Sequence, residues 1–345
     1  MQSLEPGGTA DRGRSAKSVF CLAHVYWFLI ISDPNGRDDK SPEDGKLRRM
    51  LVPFPETGIV EVSSALAGEL IEAAERLPLY ANKEFYSPAL QARVHDDIRA
   101  ACPDSFDWLV DEIRKRVAQW PYCVLVRGVL FDEGNRLFVA INRAFGELVA
   151  LPYQEPRAQL VHYIQPATDI PSPRGGQEVE RLHTDATDWE TPIDLISMIC
   201  VRADPRGGGQ SRVLDVDTIR AEVRSRLGDE TIERLESEPV PWKLSPYCGG
   251  GLKWRTVLTQ SGMCWRRYSI DLALESKLAL LSKEMLTLLD AFEGVLETKA
   301  RTLGFLLRAG ELLFSDNTRT IHARTPITVG VASDRLMLRS WIRTT

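Results

Sequence analysis

The sequence has no CxxC pair, no HExxH, no Gly-rich phosphate loop following a strand, and no excess of positive charge. Each absence removes a class of protein. Cys21, Cys102, Cys123, Cys200, Cys248 and Cys264 lack the paired spacing of a structural zinc ribbon and read as reduced, mostly buried thiols of a cytoplasmic protein. Without HExxH a zinc hydrolase loses its metal-and-base motif, and without the phosphate loop a nucleotide fold loses its anchor. A net charge of −5 carries no basic footprint, so nucleic acid is not an expected partner. Internal repeats and low-complexity blocks are also missing. With 43% hydrophobic and 26% charged residues over 345 positions, the composition is that of an ordinary globular protein.

Long apolar runs are scarce. Ser18 to Ser32 (SVFCLAHVYWFLIIS) is apolar and follows Arg12, Arg14 and Lys17. About 15 residues is short for a membrane span, and no small-residue cleavage site follows. The segment reads as an N-terminal strand or an extension upstream of the domain rather than a signal or anchor, with Met50 as an alternative start. Residues 1–17 and 33–48 are rich in Gly, Pro, Asp, Lys and Arg, so 1–48 is expected to be a poorly ordered tail and 49–345 one domain without a membrane segment.

Within that domain, apolar spacing predicts helices over Ser63–Leu77, Phe106–Trp120, Arg136–Leu151, Thr218–Leu227 and Glu275–Leu296. Strands are expected over Tyr122–Val129, Gln159–Ile164, Leu195–Arg202, Leu312–Ser315, Thr320–Ala323 and Arg335–Arg343. Trp254–Gln260 and Cys264–Ile270 read as a hairpin around Ser261-Gly262. Short strands with helices outside them predict a mainly β fold with helical cover, a β-sandwich or jelly roll.

Only five histidines are present, and one stands in RLHTDATDWETP, residues 181–192. Residues i and i+2 of a strand share a face, so His183 and Asp185 at a strand end can address one metal. His322, in FSDNTRTIHARTP, is the best third ligand. Two histidines and a carboxylate form a facial triad that leaves three positions open on Fe(II). Taken alone, His183-Thr184-Asp185 is more often a polar turn. The C-terminal DRLMLRSWIRTT shifts the balance. As a strand it puts Arg335, Met337, Arg339, Trp341 and Arg343 on one face, and buried arginines need anionic partners.

The stretches HTDATDWETP and PRGGGQS resemble the Fe(II)/2-oxoglutarate dioxygenases of the taurine dioxygenase superfamily. FSDNTRTIHARTP with DRLMLRSWIRT is similar to their clavaminate synthase and amino-acid β-hydroxylase branch. The resemblance covers roughly residues 120–345. It implies a double-stranded β-helix in which His183, Asp185 and His322 hold iron. Arg335, thirteen residues after His322, would bind the distal carboxylate of 2-oxoglutarate, joined by Ser211 or its neighbour Gln210. Arg339 would hold a substrate carboxylate. Asp185 stands where that branch often has Glu, and the loop from His322 to Arg335 is slightly shorter. An intact Asp185 implies hydroxylation, desaturation or cyclisation with O2 rather than halogenation.

The implied substrate is a small molecule: an amino acid or derivative, such as a cyclic dipeptide, in antibiotic or other specialised biosynthesis. Two other readings are a catabolic dioxygenase for sulfonates or similar acids, and a non-catalytic jelly-roll metal-binding or sensor protein. Asp188, Trp189 and Glu190 begin a lid in which Asp188 or Glu190 contacts substrate, or else a capped loop. His162 reads as a core histidine, His24 and His95 as bystanders, and Asp316-Asn317 as turn formers. Arg266 and Arg267 remain open as pocket residues.

Overall fold

The computed structural model describes residues 54–150, 160–165, 180–327 and 335–344, all of which fall within one compact unit spanning Met50–Thr345. The expectations for residues 1–48, including the Ser18–Ser32 segment and His24, lie outside the described residues. Seven strands form a mixed sheet: β1 (Ile59–Glu61), β2 (Cys123–Arg127), β3 (Glu147–Val149), β4 (His162–Ile164), β6 (Leu195–Arg202), β10 (Leu312–Asp316) and β12 (Leu336–Arg343). Their order is β1-β2-β10-β6-β12-β3, with β4 also pairing β12. Among the described strands of this sheet, only β1 and β2 run parallel. A second sheet, β5-β11-β7, is built from Glu180–His183, Thr320–Arg324 and Ser211–Asp215. A two-stranded ribbon joins β8 (Val240–Lys243) to β9 (Leu252–Arg255).

The large sheet is apolar on both faces, which is why β6 reads as the continuous run LISMICVR. One face packs on α1 (Ser64–Glu75), α2 (Pro88–Ala101), α3 (Pro103–Val117) and α4 (Arg136–Arg143), with Leu195, Ile199, Phe314, Leu338 and Ile342 against Leu70, Ile98, Phe106 and Ile113. The other face meets the smaller sheet through Leu125, Leu313, Cys200, Met337, Val213 and Leu307. Leu182, Leu214 and Ile321 then face away from this interior. They are covered by α5 (Val216–Leu227), α6 (Asp229–Ser237), α7 (Arg267–Glu275) and α8 (Lys283–Ala300). Each fully buried Leu, Ile or Phe in these layers contributes roughly 1.5–3 kcal/mol. No helix among the described residues is long and apolar enough to cross a membrane.

Helix starts follow capping chemistry. Ser63, Ser87, Asp215 and Ser282 each accept an N–H from the first turn of α1, α2, α5 and α8. The same chemistry divides the segment expected as one helix over Glu275–Leu296. The chain leaves α7 at Glu275, turns through Lys277 (φ +54°), and restarts at the Ser282 cap. The helix expected over Arg136–Leu151 stops at Arg143. Gly146 then lies against the Arg343 carbonyl where no Cβ fits, and β3 begins.

The expected hairpin shrinks to a single bridge, Leu258 to Met263. Trp254 pairs with Pro241 instead, and the chain from Arg267 is helical. Two further helices carry too weak a pattern to be expected from sequence: α2 is polar, with three buried residues, and α6 buries only Ile232 and Leu235. The cover is therefore heavier than expected, and helices hold more of the described residues than strands do.

Candidate metal centre

Strand pairing brings the two histidines together. His322 of β11 lies directly opposite His183 of β5, and their rings sit 4.4 Å apart. Asp185 is not on the strand but in the turn just after it, closed by Ala186 in the left-handed region (φ +57°). Thr184 between them turns away, donating its N–H to the Trp265 carbonyl at 2.7 Å and accepting the Trp265 N–H at 3.1 Å. Asp185 Oδ1 lies 3.4 Å from His183 Nε2 and 3.8 Å from His322 Nε2. His183 Nδ1 sits 2.8 Å from the Arg181 carbonyl. A carbonyl only accepts, so Nδ1–H is the donor there, and Nε2 is the ring nitrogen on the Asp185 side.

The donor set fits a divalent metal. Each of the three residues offers a ligand atom, and these atoms all lie within 4.8 Å of one another. Cis ligands at about 2.1 Å from one ion are about 3 Å apart, so closure needs only small movements. Asp185 is 3% exposed. Burial works to raise its carboxyl, but the Arg339 charge, then His322 and His183, outweigh it and hold the group well below the usual carboxylate range. It stands as an anion ready to ligate.

The C-terminal strand lies behind this cluster. Met337 and Trp341 face the interior between the sheets, and Arg339 on the same face reaches Asp185 Oδ2 at 3.1 Å. The substrate-carboxylate role expected for Arg339 thus falls on a side chain tied, in this structure, to the metal-site carboxylate. Arg335 is buried just ahead of β12. Gly209 (φ +68°) lies flat against it, where a Cβ would approach Arg335 Nε to 2.8 Å and Cζ to 3.3 Å. That close approach accounts for the glycine in PRGGGQS. Ser211 opens β7, pairs with Arg324, and shares a face with Val213, which is itself opposite His322. Gln210 precedes the strand, its N–H bound to Thr325 Oγ1 at 2.8 Å.

The remaining candidates separate cleanly. Glu190 is exposed and paired with Lys253, whereas Asp188 bonds through its carbonyl to the Ser245 N–H at 2.8 Å, beside the loop that carries Cys248. Arg267 turns away to Asp271 and Asp290 at 2.8 and 2.7 Å, while Arg266 precedes α7. His162 is buried edge-on to the Trp341 ring at 5.2 Å, and His95 Nδ1 meets the Ala140 carbonyl at 3.1 Å.

Asn317, expected only to shape a turn, also holds the Asp185 backbone. Its Oδ1 accepts the Asp185 N–H at 2.8 Å, and its Nδ2 donates to the Asp185 and Ile193 carbonyls at 3.1 and 2.9 Å. Trp341, expected on a strand face, also donates its Nε1–H to Asp185 Oδ2 at 2.8 Å. Nothing in the local sequence marks either contact, since the partners are 132 and 156 positions apart.

Two sheets closing on a His–Asp–His cluster, backed by arginines on one strand, define a candidate metal-dependent enzyme centre. The chain belongs to the TauD/TfdA family: the family described as taurine catabolism dioxygenase TauD, TfdA family, matches residues 84–341. No curated protein matches by sequence. Among solved structures, an asparagine oxygenase in complex with Fe(II), 3-hydroxyasparagine and succinate superposes with TM-score 0.68 at 18% identity, over 83% of this chain and 94% of that one. The non-heme iron oxygenase OrfP with Fe and alpha-ketoglutaric acid gives 0.64 at 17%, over 83% and 93%. Its complex with Fe, succinate and (3S)-hydroxy-L-Arg gives 0.65 at 17%, over 85% and 95%.

Proposed function

We propose that this protein is an Fe(II)/2-oxoglutarate-dependent oxygenase that hydroxylates an unactivated C–H bond of an amino acid or an amino-acid-derived small molecule. The observation that carries the reading is the convergence of His183, Asp185 and His322 in front of the Arg335–Arg339 strand, in a chain of this family. Residues 49–345 are read as one oxygenase domain, with the two main sheets as a double-stranded β-helix. His183 Nε2, Asp185 Oδ1 and an imidazole nitrogen of His322 would hold Fe(II). The bound metal supplies oxidation of the substrate by dioxygen, coupled to oxidative decarboxylation of 2-oxoglutarate.

The protein's own groups bind and orient. Arg335 takes the distal carboxylate of 2-oxoglutarate as a buried guanidinium fork, with the Ser211 hydroxyl beside it. Arg339 and Asp188 offer opposite charges to the carboxylate and ammonium ends of an amino acid. The two neighbours hold 3-hydroxy amino acids, which favours oxidation at the β-carbon here. A cyclic dipeptide has no free carboxylate for Arg339, which would then stay on Asp185.

The test is an anaerobic titration with Fe(II) and then 2-oxoglutarate, watched for the weak visible charge-transfer band of their complex. The wild type should develop the band, while His183→Ala and Arg335→Ala should lose or sharply weaken it. A wild type that binds metal but shows no band at saturating oxoacid would overturn the reading.

A further inference from the structure

We infer that Trp341 is a positioning residue for the metal carboxylate: its indole N–H pins Oδ2 of Asp185 so that Oδ1 alone is presented between the two histidines. The inference rests on the metal-site reading above and extends it to a residue outside the ligand set. A carboxylate can offer a metal one oxygen or two. Here Oδ2 already accepts from Trp341 Nε1 at 2.8 Å and from Arg339 Nη1 at 3.1 Å. Oδ1 is the oxygen that faces His183 Nε2 and His322 Nε2. Asn317 holds the backbone of Asp185 from both sides. The residue is therefore constrained at its main chain by one partner and at its outer oxygen by another.

The two donors to Oδ2 differ in kind. Arg339 is long, its side chain is 22% exposed, and it is the group assigned to substrate. Trp341 is 5% exposed and gripped edge-on by His162 and Trp189, each 5.2 Å away ring to ring. Its strand register opposite Ile196 and Val149 sets its height. An indole N–H only donates and does not titrate, so Trp341 always presents a donor to Oδ2. When a substrate carboxylate draws Arg339 aside, Trp341 remains to keep Asp185 on one oxygen. Outer partners of this sort typically control 10–100-fold in metal affinity.

Co(II) is the probe, because its visible spectrum reports coordination number. It would be titrated into the wild type, Trp341→Phe, and protein carrying benzothienylalanine in place of Trp341, where sulfur replaces the N–H at almost unchanged shape. Both replacements should bind Co(II) about 10–100-fold more weakly and with an altered spectrum, while the metal-free benzothienylalanine protein melts as the wild type does. Wild-type affinity and spectrum in the benzothienylalanine protein would overturn the inference and leave Trp341 a packing residue. Should Trp341→Phe fail to fold, the benzothienylalanine protein decides alone. A wild type that does not take up Co(II) would instead sink the metal reading itself, and this inference with it.

Discussion

At the scale of single residues, much of the site turns on where a side chain cannot be. Gly209 leaves room for the Arg335 guanidinium, and any Cβ there would press on Nε at 2.8 Å. Gly209→Ala is expected to raise the apparent KM for 2-oxoglutarate about tenfold, equivalent to roughly 1.4 kcal/mol, by displacing Arg335. Gly228→Ala is the matched control. Gly228 also has positive φ (+89°), but nothing lies within 4 Å of a Cβ, so that variant should lose stability and keep its KM. Steady-state kinetics on the two variants separates displaced binding from backbone strain. Of the candidate ligand residues, His183 and Asp185 were legible because they are two apart. His322 was legible by scarcity of histidine and by resemblance. Asn317 and Trp341 were not, because a polar turn residue and a strand aromatic carry no local sign of a distant carboxylate.

At the scale of elements, α4 is set by one buried ion pair at its start. Asp132 Oδ2 accepts from Arg136 N and Nε, both at 2.9 Å, and Oδ1 accepts from Leu137 N at 2.8 Å. The two side chains are 1% and 5% exposed. Asp132→Ala removes the cap and leaves Arg136 buried without its counter-charge. A loss of about 3–5 kcal/mol is expected in denaturant unfolding, since breaking one side of such a pair costs far more than the pair contributes. Asp132→Asn, which keeps an acceptor for the backbone N–H groups, should cost less. Element boundaries differ from those expected where tertiary contacts override spacing. The Arg136 helix ends where the backbone of Arg343 arrives, and the expected hairpin opened because Trp254 found a partner in β8.

At the scale of the molecule, the site links stability to metal and to pH. A ligand present at 100 times its Kd stabilises the native state by about 2.7 kcal/mol, so Fe(II) or Co(II) should raise Tm in the wild type and not in Asp185→Ala. Without metal, the Asp185 carboxyl sits well below its unfolded value of about 3.9. A depressed carboxyl contributes stability that is complete above the unfolded value and is lost as pH falls through the folded one. Metal-free protein should therefore keep this contribution at pH 6 and lose it progressively below about pH 4. Asp185→Asn should flatten that part of the Tm–pH curve. Metal affinity itself should fall earlier on acidification, because protons compete for the imidazole nitrogens.

The sequence by itself determined the candidate ligand types, the arginine-bearing last strand, and the buried runs that had to become sheet, because these follow from side-chain chemistry and a two-residue period. Tertiary structure alone decided that His183 and His322 are cross-strand neighbours, that Arg339 and Trp341 share one oxygen of Asp185, and which glycine makes way for Arg335. Those relations depend on register and packing between segments more than a hundred residues apart, which no local pattern encodes.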